Sequence, residues 1–405
     1  MPKNTAQPLI LTINTGSSSL KIALYQSGSE PTRILSGQAE RIGLPDARVR
    51  ITDAAGAPLL EQQADLPDHD SALHVMFAWL RRERPDLVPQ AVGHRIVHGG
   101  SAYREPRTIT ATLLAALRKL ASLDPDHLPQ AIRAIEAAGQ TYPAVPQVAC
   151  FDTSFHRNMP KVAQRYALPQ SFWDAGVRRY GFHGLSYEFI MQELNALDHV
   201  SANGRVIIAH LGNGASMAAV QRGVGVETTM GFSPTGGLVM STRSGDLDPG
   251  VVLYALQSVG LDTAALSRLV NRQAGLLGVS ETSGDMHDLL AAAATDSRAA
   301  EAIELFCYQA KKSLGALAAV LGGLDTLVFT GGIGEHAAPV RAGICVGLEF
   351  LGITLDPDRN VAHAPVISGD GRAVTVRVLP TDEDLMIARH TARLLWPKGT
   401  PDVSV

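Results

Sequence analysis

The side chains best suited to chemistry lie in turns rich in glycine and serine that follow apolar strands. The first such turn has the sequence NTGSSS at 14–19, between alternating runs that begin at Leu9 and end at Leu24. This two-residue alternation predicts a β-hairpin with a polar tip. Its backbone N–H groups, its hydroxyls and the ammonium of Lys21 suit an anion such as phosphate. A serine-rich hairpin loop without a ligand is the alternative, because short motifs recur by chance.

A second copy of this unit lies in the other half of the chain. There the sequence HLGNG at 210–214 stands between the apolar runs 206–209 and 215–220, and Gly212 aligns with Gly16. Two such units predict a duplicated domain rather than a solenoid, whose repeat would be much shorter. Two hairpins that face phosphate also predict a cleft between the two halves.

Charged and titratable residues stand at the ends of other apolar runs. Arg95, in AVGHRIVHGG at 91–100, has apolar neighbours and needs a counter-charge, which favours a ligand arginine over a surface charge. Asp152 follows a buried strand predicted from Val148, where it could be catalytic, could orient a metal, or could be a solvated loop residue. His183 lies between two glycines, which let the backbone approach a ligand closely.

Three later segments have similar chemistry. The segment 228–245 is rich in Gly, Ser and Thr, and long irregular segments inside compact domains are usually functional. The sequence LVFTGGIGEH at 327–336 predicts a buried strand that leads through a glycine turn to a helix N-terminus, an arrangement that binds phosphate or nucleotide. The acidic run at 381–384 begins the last predicted helix, where charge placement favours helix capping over Mg²⁺ ligation.

The elements that must position these residues are predicted from hydrophobic periodicity and capping signals. Further strands are predicted at 33–38, 48–52 and 374–379, and helices at 70–84, 109–120, 127–140, 184–197, 250–259, 286–321 and 385–395.

Length and composition limit the classes of function. A chain of 405 residues predicts two domains, and 45% hydrophobic with 18% charged residues is typical of a globular protein. The net charge of −4 does not favour nucleic acid or a membrane as the main partner, and small molecules are expected instead. Three widely spaced cysteines in apolar surroundings predict buried thiols in a reducing compartment. The first residues have no long apolar stretch typical of a signal peptide, and 314–324 is too short to cross a bilayer, so we expect a cytoplasmic protein.

Seven motifs, in this order, resemble the acetate kinase family over nearly the whole chain. They are NTGSSSLK at 14–21, HRIVHGG at 94–100, FDT at 151–153, YGFHG at 180–184, HLGNG at 210–214, TRSGD at 242–246 and FTGGIGE at 329–335. The resemblance implies an α/β, duplicated ribonuclease H-like (actin-like ATPase) fold with a central nucleotide cleft. It implies an N-terminal domain at 1–155, a nucleotide-binding C-terminal domain at 156–385, and a last helix at about 386–405 that packs on the first domain.

The resemblance also implies the reaction, which is reversible, Mg²⁺-dependent, direct in-line transfer of phosphate from ATP to acetate, giving acetyl phosphate and ADP. A homodimer is implied as well. The implied metal site, for Mg²⁺ or Mn²⁺, comprises Asn14 and Glu383, which gives Glu383 a role beyond capping. Such a reaction asks the protein for alignment and for positive charge at the phosphoryl oxygens.

The resemblance assigns the other site residues as follows. The catalytic residues are Arg95, Asp152, His183 and Arg243, and the acid would bind to Arg95, Val97, Phe182 and Pro234. The nucleotide would bind to Lys21, His210, Leu211, Gly212, Asn213, Gly214, Asp285, Met286, His287, Gly331, Gly332, Ile333, Gly334 and Glu335.

Three positions depart from the family pattern. A family histidine is replaced by Asp124 or displaced to His127, which leaves its role open. The adenine loop reads Asp-Met-His at 285–287, without the family's arginine, so nucleotide affinity is expected to differ. Beside the implied acyl pocket, 233–237 reads SPTGG, so the preferred acid cannot be predicted. One alternative is a kinase that prefers propionate or butyrate. The other is an inactive actin-like nucleotide-binding protein, which is disfavoured because the chain retains Arg95, Asp152, His183 and Arg243.

Overall fold

The structure is a computed structural model that describes residues 7–16, 18–121 and 124–397. Parts of several predictions lie outside the described residues: the start of the N-terminus, Ser17 of the first hairpin, 122–123 before His127, and 398–405 of the last helix. The chain divides into two compact units, Met1–Ser154 with Asp382–Val405 and Phe155–Thr381. The domain boundaries implied by the resemblance remain a prediction.

The described part of the chain contains strands and helices in both units. The strands are β1 (Leu9–Thr15), β2 (Ser19–Gln26), β3 (Thr32–Glu40), β4 (Arg48–Asp53), β5 (Pro58–Gln63), β6 (Ala91–Ile96), β7 (Arg107–Thr108), β8 (Gln147–Phe151), β9 (Arg205–Leu211), β10 (Ala215–Gln221), β11 (Val224–Thr228), β12 (Thr326–Thr330) and β13 (Thr375–Val378). The helices are α1 (His69–Glu83), α2 (Ala111–Leu120), α3 (Leu128–Thr141), α4 (Lys161–Gln164), α5 (Gln170–Asp174), α6 (Gly184–Leu197), α7 (His199–Ala202), α8 (Pro249–Gln257), α9 (Thr263–Arg268), α10 (Gly275–Ser280), α11 (Met286–Ala292), α12 (Ser297–Leu321), α13 (Gly331–His336), α14 (Ala338–Cys345), α15 (Pro357–Val361) and α16 (Glu383–Leu395). Short 3-10 helices occur at Asp152–Asn158 and Glu349–Leu351, and a π-helical turn at Leu269–Gln273.

The first unit is built on a mixed sheet whose strand order is β5-β4-β3-β2-β1-β6-β8-β7. The predicted first hairpin is confirmed, because β1 and β2 pair antiparallel from Leu9–Gln26 to Thr15–Leu20. Strands β1, β6 and β8 are mutually parallel, so that their carboxyl ends lie at one edge of the sheet. Helix α1 buries Leu73, Met76, Phe77 and Leu80 in the core cluster beside this hairpin.

The second unit repeats the central part of that sheet. Its strand order is β11-β10-β9-β12-β13, in which β9 and β10 form the second predicted hairpin and β9, β12 and β13 are parallel. The same succession of antiparallel and parallel neighbours occurs in β3-β2-β1-β6-β8 of the first unit. The predicted α/β fold with an internal duplication is therefore confirmed.

Several predicted elements differ from the observed ones. The helix predicted at 286–321 is two helices, because Asp296 accepts hydrogen bonds from the backbone N–H groups of Arg298 and Ala299 and so starts α12 anew. The strand predicted from Val148 ends at Phe151, and the residues after it form a 3-10 helix that begins at Asp152. Strand β5 was not predicted, because it is an exposed edge strand without apolar alternation.

The structure also bears on the burial of the cysteines and on membrane-spanning segments. The thiols of Cys150, Cys307 and Cys345 are all buried, as predicted. Among the helices that the structure describes, none is both long and apolar enough to span a membrane.

Candidate active site

In the first unit, three predicted site residues meet at the carboxyl edge of the sheet. Asn14 lies near the end of β1, Arg95 near the end of β6, and Asp152 directly after β8. The parallel registers that pair Ile13 with His94 and Arg95 with Cys150 set these positions. In open α/β sheets, ligands bind at this edge, beside the carboxyl ends of the strands.

Arg95 is held by carboxylate and amide oxygens from three elements. Its Nε and Nη2 donate to the carboxylate of Asp152, the shorter contact being 2.7 Å from Nη2 to Oδ2. Its Nη1 donates to Asn14 Oδ1 at 3.1 Å and lies 3.8 Å from Glu383 Oε2. Asn14 Nδ2 in turn donates to Glu383 Oε2 at 3.0 Å. The geometry fixes the guanidinium plane through its own bidentate contact with Asp152.

Burial and charge act on Arg95 in opposite directions. The side chain of Arg95 is 14% exposed and that of Asp152 is fully buried. Burial lowers the pKa of the Arg95 guanidinium, but the carboxylates of Asp152 and Glu383 raise it more, so that the pKa lies above its ordinary value. Arg95 is therefore a permanent cation at the edge of the sheet.

The acidic residues at 382–384, for which helix capping and metal ligation were both considered, differ in their contacts. Asp382 is the N-cap of α16, where its Oδ1 accepts from the backbone N–H of Leu385 at 2.8 Å. Glu383 instead directs its carboxylate to Asn14 and Arg95. Burial raises the pKa of Asp384, Lys21 opposes this rise, and neighbouring Asp382 and Glu383 add to it, so that the pKa lies at about 7. Asp382 therefore caps the helix, and the Glu383 carboxylate is left to contact Asn14 and Arg95.

The same unit contains Lys21, and also Asp124 and His127, which stand where the sequence departs from the family pattern. Lys21 faces Asn14 across the first hairpin in the strand register and is exposed. Asp124 and His127 are both buried, and His127 Nδ1 lies 2.8 Å from Asp124 Oδ1. The charge of Asp124 is also among the influences that raise the pKa of Arg95. The chain therefore has a carboxylate–imidazole pair in the electrostatic surroundings of Arg95.

In the second unit, His183 is held in an unusual backbone conformation. It is the N-cap of α6 with φ of 57° and ψ of 25°, the left-handed region that few residues other than glycine adopt. Its ring Nδ1 lies 2.8 Å from Ser216 Oγ, which also bonds the hydroxyl of Tyr187. The His183 ring stacks on that of His210 with 4.3 Å between centroids. Backbone strain of this kind concentrates at functional sites.

Gly214 brings His183 and Arg243 together. A Cβ at position 214 would lie 3.1 Å from His183 Nε2 and 3.6 Å from Arg243 Nη1, so that only a glycine leaves the space between these groups open. Arg243 Nη1 donates to the carbonyl of Pro234 at 3.2 Å. Pro234 and Phe182 are both buried in this unit, and Val97 is buried in the first unit.

The predicted nucleotide segments converge through backbone contacts. Ser241 donates its backbone N–H to the carbonyl of Asn213 at 3.1 Å and its hydroxyl to the carbonyl of Gly284 at 2.7 Å. The register of β9 and β12 pairs His210 with Thr330, and a Cβ at Gly331 would lie 2.8 Å from the Leu211 carbonyl oxygen. Gly331 has φ of 76°, so this close approach requires a glycine.

Other predicted nucleotide residues serve the loops themselves. Glu335 accepts from the backbone N–H of Gly331 at 2.9 Å and of Thr381 at 3.3 Å. Asp285 caps α11 by accepting from the backbone N–H of His287, whose side chain is 93% exposed. Met286 is buried, so its side chain serves the core of the unit. The region around Gly332 is open, with no atom within 4 Å of a Cβ built there.

Two side-chain oxygen donors in the first unit suit a divalent metal ion. Asn14 Oδ1 and the Glu383 carboxylate are hard oxygen donors on adjoining elements. Among the described residues, no group of three or more His, Cys, Asp or Glu could hold a metal ion. Two oxygen donors are the number that a hard divalent ion such as Mg²⁺ typically takes from the protein, with water and phosphate completing its shell.

Comparison with known proteins agrees over nearly the whole chain. The model of the Acetokinase family matches residues 9–389. An acetate kinase of Rhodopseudomonas palustris is 46% identical over 396 residues, which are 95% of this chain and 98% of that protein. An acetate kinase of Rhizobium meliloti is 46% identical over 391 residues, with the same coverage of both chains.

Solved structures agree as well. Porphyromonas gingivalis acetate kinase has a TM-score of 0.84 at 36% identity, and a propionate kinase from Francisella tularensis has 0.87 at 33%. Both alignments cover 96% of this chain and all of the other. The chain belongs to the acetokinase family.

Membership confirms the predicted family, its two-domain actin-like ATPase fold and its class of enzyme, an ATP-dependent kinase of acetate. Enzymes of this family act on a carboxylate and ATP, typically with a divalent metal ion.

Several side chains that were not predicted from sequence hold the predicted site residues in place. Ser186 Oγ lies 2.8 Å from His210 Nδ1, and Ser216 and Tyr187 hold His183. His156 Nε2 donates to the carbonyl of Phe182 at 3.0 Å. A signal for Ser186 and Tyr187 was present, because positions three and four after His183 share its side of a helix.

Proposed function

We propose that this kinase transfers the γ-phosphoryl group of ATP directly to the carboxylate of acetate with Mg²⁺, and that it also catalyses the reverse reaction. The observation that carries the residue roles is Arg95, a largely buried cation fixed at the carboxyl edge of its sheet by Asp152, Asn14 and Glu383. Family membership supports acetate and ATP as the substrates.

Arg95 binds the carboxylate of the acid in this proposal. A guanidinium offers a planar fork of donors that matches a carboxylate, and Asp152 fixes the orientation of that fork. Asp152 thereby acts as a positioning residue through Arg95. Val97, Phe182 and Pro234 supply apolar surface for the acyl methyl group.

Asn14 and Glu383 hold the metal ion, for which Mn²⁺ can replace Mg²⁺. When bound, the ion neutralises charge that develops on the phosphate oxygens. The nucleotide lies against Lys21, 210–214, 285–287 and 331–335. Arg243 and His183 supply positive charge and a hydrogen bond to the phosphoryl group in transfer, and Gly214 leaves the space that they share. Covalent catalysis is unnecessary.

The experiment is an acyl-phosphate assay. The purified enzyme receives ATP, Mg²⁺ and acetate, and hydroxylamine traps acetyl phosphate as a hydroxamate. The same assay with propionate and butyrate ranks the acids by kcat/KM, and overlap is expected because one methylene in an apolar pocket is worth only about 1–3 kcal/mol. Tight binding of ATP without turnover on any of these acids would overturn the proposal in favour of an inactive nucleotide-binding protein.

The proposal includes a homodimer in the cytoplasm. Helix α8 supports self-association, because Ala255 is its only buried residue among nine. Its apolar side chains Val251, Leu253 and Tyr254 are 50–63% exposed. The three buried thiols support a reducing compartment.

A further inference from the structure

His69, the first residue of α1, contacts the tip of the first hairpin. Its ring Nε2 lies 2.9 Å from the carbonyl oxygen of Gly16, and its side chain is buried. A carbonyl oxygen only accepts hydrogen bonds, so Nε2 must carry the proton and donate it. This contact joins residues 53 positions apart in the chain.

The imidazole of His69 is neutral near pH 7. Burial lowers its pKa most, the hydrogen bond with the Gly16 carbonyl opposes this, and the charge of Arg133 lowers the pKa again. Smaller raising effects come from Ser19 and Asp70, and the net shift of the pKa is downward. With one proton on the ring, held at Nε2 by the Gly16 carbonyl, His69 is a fixed neutral donor.

Among the described residues, two backbone hydrogen bonds also hold the hairpin tip. Within it, the backbone N–H of Gly16 donates to the carbonyl of Ser19 at 2.8 Å, which closes the turn. From outside, the backbone N–H of Ile42 donates to the carbonyl of Ser18 at 3.1 Å. The strand register ends at the pair Thr15 and Leu20. His69 is thus a side chain that reaches the turn from a separate element.

Helix α1 gives this donor a rigid base. Asp68 caps the helix by accepting from the backbone N–H of Ser71 at 2.8 Å. The buried face of α1 packs in the core through Leu73, Met76 and Phe77. The position of the His69 ring is therefore set by the fold and not by the hairpin.

We propose that His69 is a positioning residue for the phosphate-binding hairpin, which it holds through the Gly16 carbonyl in the conformation that binds Mg·ATP. The inference rests on the proposed function, in which Asn14 on one side of this turn binds the metal and Lys21 on the other binds the nucleotide. These two residues face each other in the register that leads into the turn. A shift of the turn would misplace both of them.

The test compares two substitutions of His69 with a control on the same helix. His69→Phe keeps an aromatic ring but removes the donor, and His69→Gln keeps an N–H donor. His74→Phe is the matched control, because His74 is exposed on α1. The measurements are kcat, KM for Mg·ATP, KM for acetate, and the Kd for Mg·ATP by calorimetry without acid.

We expect His69→Phe to weaken Mg·ATP binding and to lower kcat/KM for ATP by about tenfold, the loss typical of one buried hydrogen bond. The KM for acetate at saturating ATP should stay within about twofold, since Arg95 binds the acid. His69→Gln should recover most of the Mg·ATP affinity, and His74→Phe should match the wild type.

Two results would overturn the inference. One is unchanged Mg·ATP affinity in a folded His69→Phe enzyme. The other is equal impairment of His69→Phe and His69→Gln together with an equal fall in Tm, which would show a general packing role. Absence of acyl phosphate with the wild-type enzyme would refute the proposed function instead, while the calorimetric comparison would still decide the role of His69.

Discussion

At the scale of single residues, the site depends on the shape of its cations. Arg95 uses Nε and Nη2 for Asp152 and Nη1 for Asn14, contacts that a lysine ammonium cannot make from one point. Arg243 Nη1 donates to the Pro234 carbonyl and lies beside Gly214. Position 95 therefore requires a planar fork as well as a positive charge, and at position 243 the guanidinium reaches the open space beside Gly214.

We expect Arg95→Lys and Arg243→Lys each to lower kcat/KM by about 10²–10³-fold, the loss typical of a transition-state contact in a site without bulk water. Arg95→Lys should also raise the KM for acetate. Steady-state kinetics on both variants would measure this, with Arg50→Lys as a control at an exposed ion pair. Wild-type kcat/KM in either site variant would remove that arginine from the transferring phosphoryl group or the acid.

Some roles of single residues could be predicted from the sequence, and others required the structure. The motif around Arg95 predicted a buried cation with a counter-charge, and the structure supplies Asp152. The acidic run 381–384 could not be divided from sequence, because charge placement is the same for a cap and for a ligand. Only the side-chain directions of Asp382 and Glu383 separate the two roles. The pairing of Asp124 with His127 likewise depends on three-dimensional position.

At the scale of elements, both hairpins were predictable because alternation of apolar residues has the period of a strand. Helix breaks and edge strands were not, because Asp296 is a short local cap inside an Ala-rich run and β5 has no apolar face. The packing of helix α16 could not be predicted either, because it depends on a long-range contact. It packs on β6 so closely that Gly93 is required, a contact between positions far apart in the chain.

We expect Gly93→Ala to destabilise the protein by about 1–3 kcal/mol, the cost typical of overpacking. A Cβ at position 93 would lie 2.5 Å from Ile387 Cγ2 and would also strike Thr391, so α16 must shift. Because α16 begins with Glu383, the Mg²⁺ concentration needed for half-maximal activity should rise as well.

Urea unfolding and a Mg²⁺ titration of activity would test this expectation. Gly315→Ala is the matched control, since it lies in α12 with no atom within 4 Å of the added Cβ, and it should stabilise the helix by about 0.5–1 kcal/mol. A Gly93→Ala enzyme as stable as the wild type would show that α16 does not depend on this close contact.

At the scale of the whole molecule, each unit contains a buried neutral histidine that links stability to pH. Burial lowers the pKa of His94 in the first unit and of His156 in the second to about 4, from the ordinary 6.5. Between these values the unfolded chain binds more protons than the folded one. Stability is therefore fully present above about pH 6.5 and falls as the pH decreases toward about 4.

We expect the free energy of unfolding to fall by up to about 1.4 kcal/mol per pH unit for each of these groups within that window. Urea unfolding at several pH values between 7.5 and 4.5 would measure the slope. His94→Phe should reduce it, whereas His199→Gln at an exposed position should not. An unchanged slope in the His94 variant would mean that this residue does not link folding to protons.

Helix α8 has an apolar surface whose partner could not be predicted from the sequence. Both units repeat one arrangement of strands, but α8 follows the irregular segment of the second unit. Periodicity predicted this helix but not its environment, because a helix that is apolar on several sides can be buried in its own chain or against another. The exposed Val251, Leu253 and Tyr254 show that its own unit does not cover it.

The last prediction is that α8 lies in the interface of the proposed homodimer. Exposed apolar patches of this kind mark interfaces, and a partly exposed tyrosine such as Tyr254 is a typical anchor of one. Light scattering after size exclusion should give the wild type twice the chain mass of 42.9 kDa. Val251→Asp should shift the protein toward the monomer, since an interface core rarely accepts an unpaired charge. Val361→Asp, at an exposed valine outside α8, should leave the dimer intact. A wild type that stays monomeric at micromolar concentration, or equal effects of both substitutions, would contradict the assignment of α8.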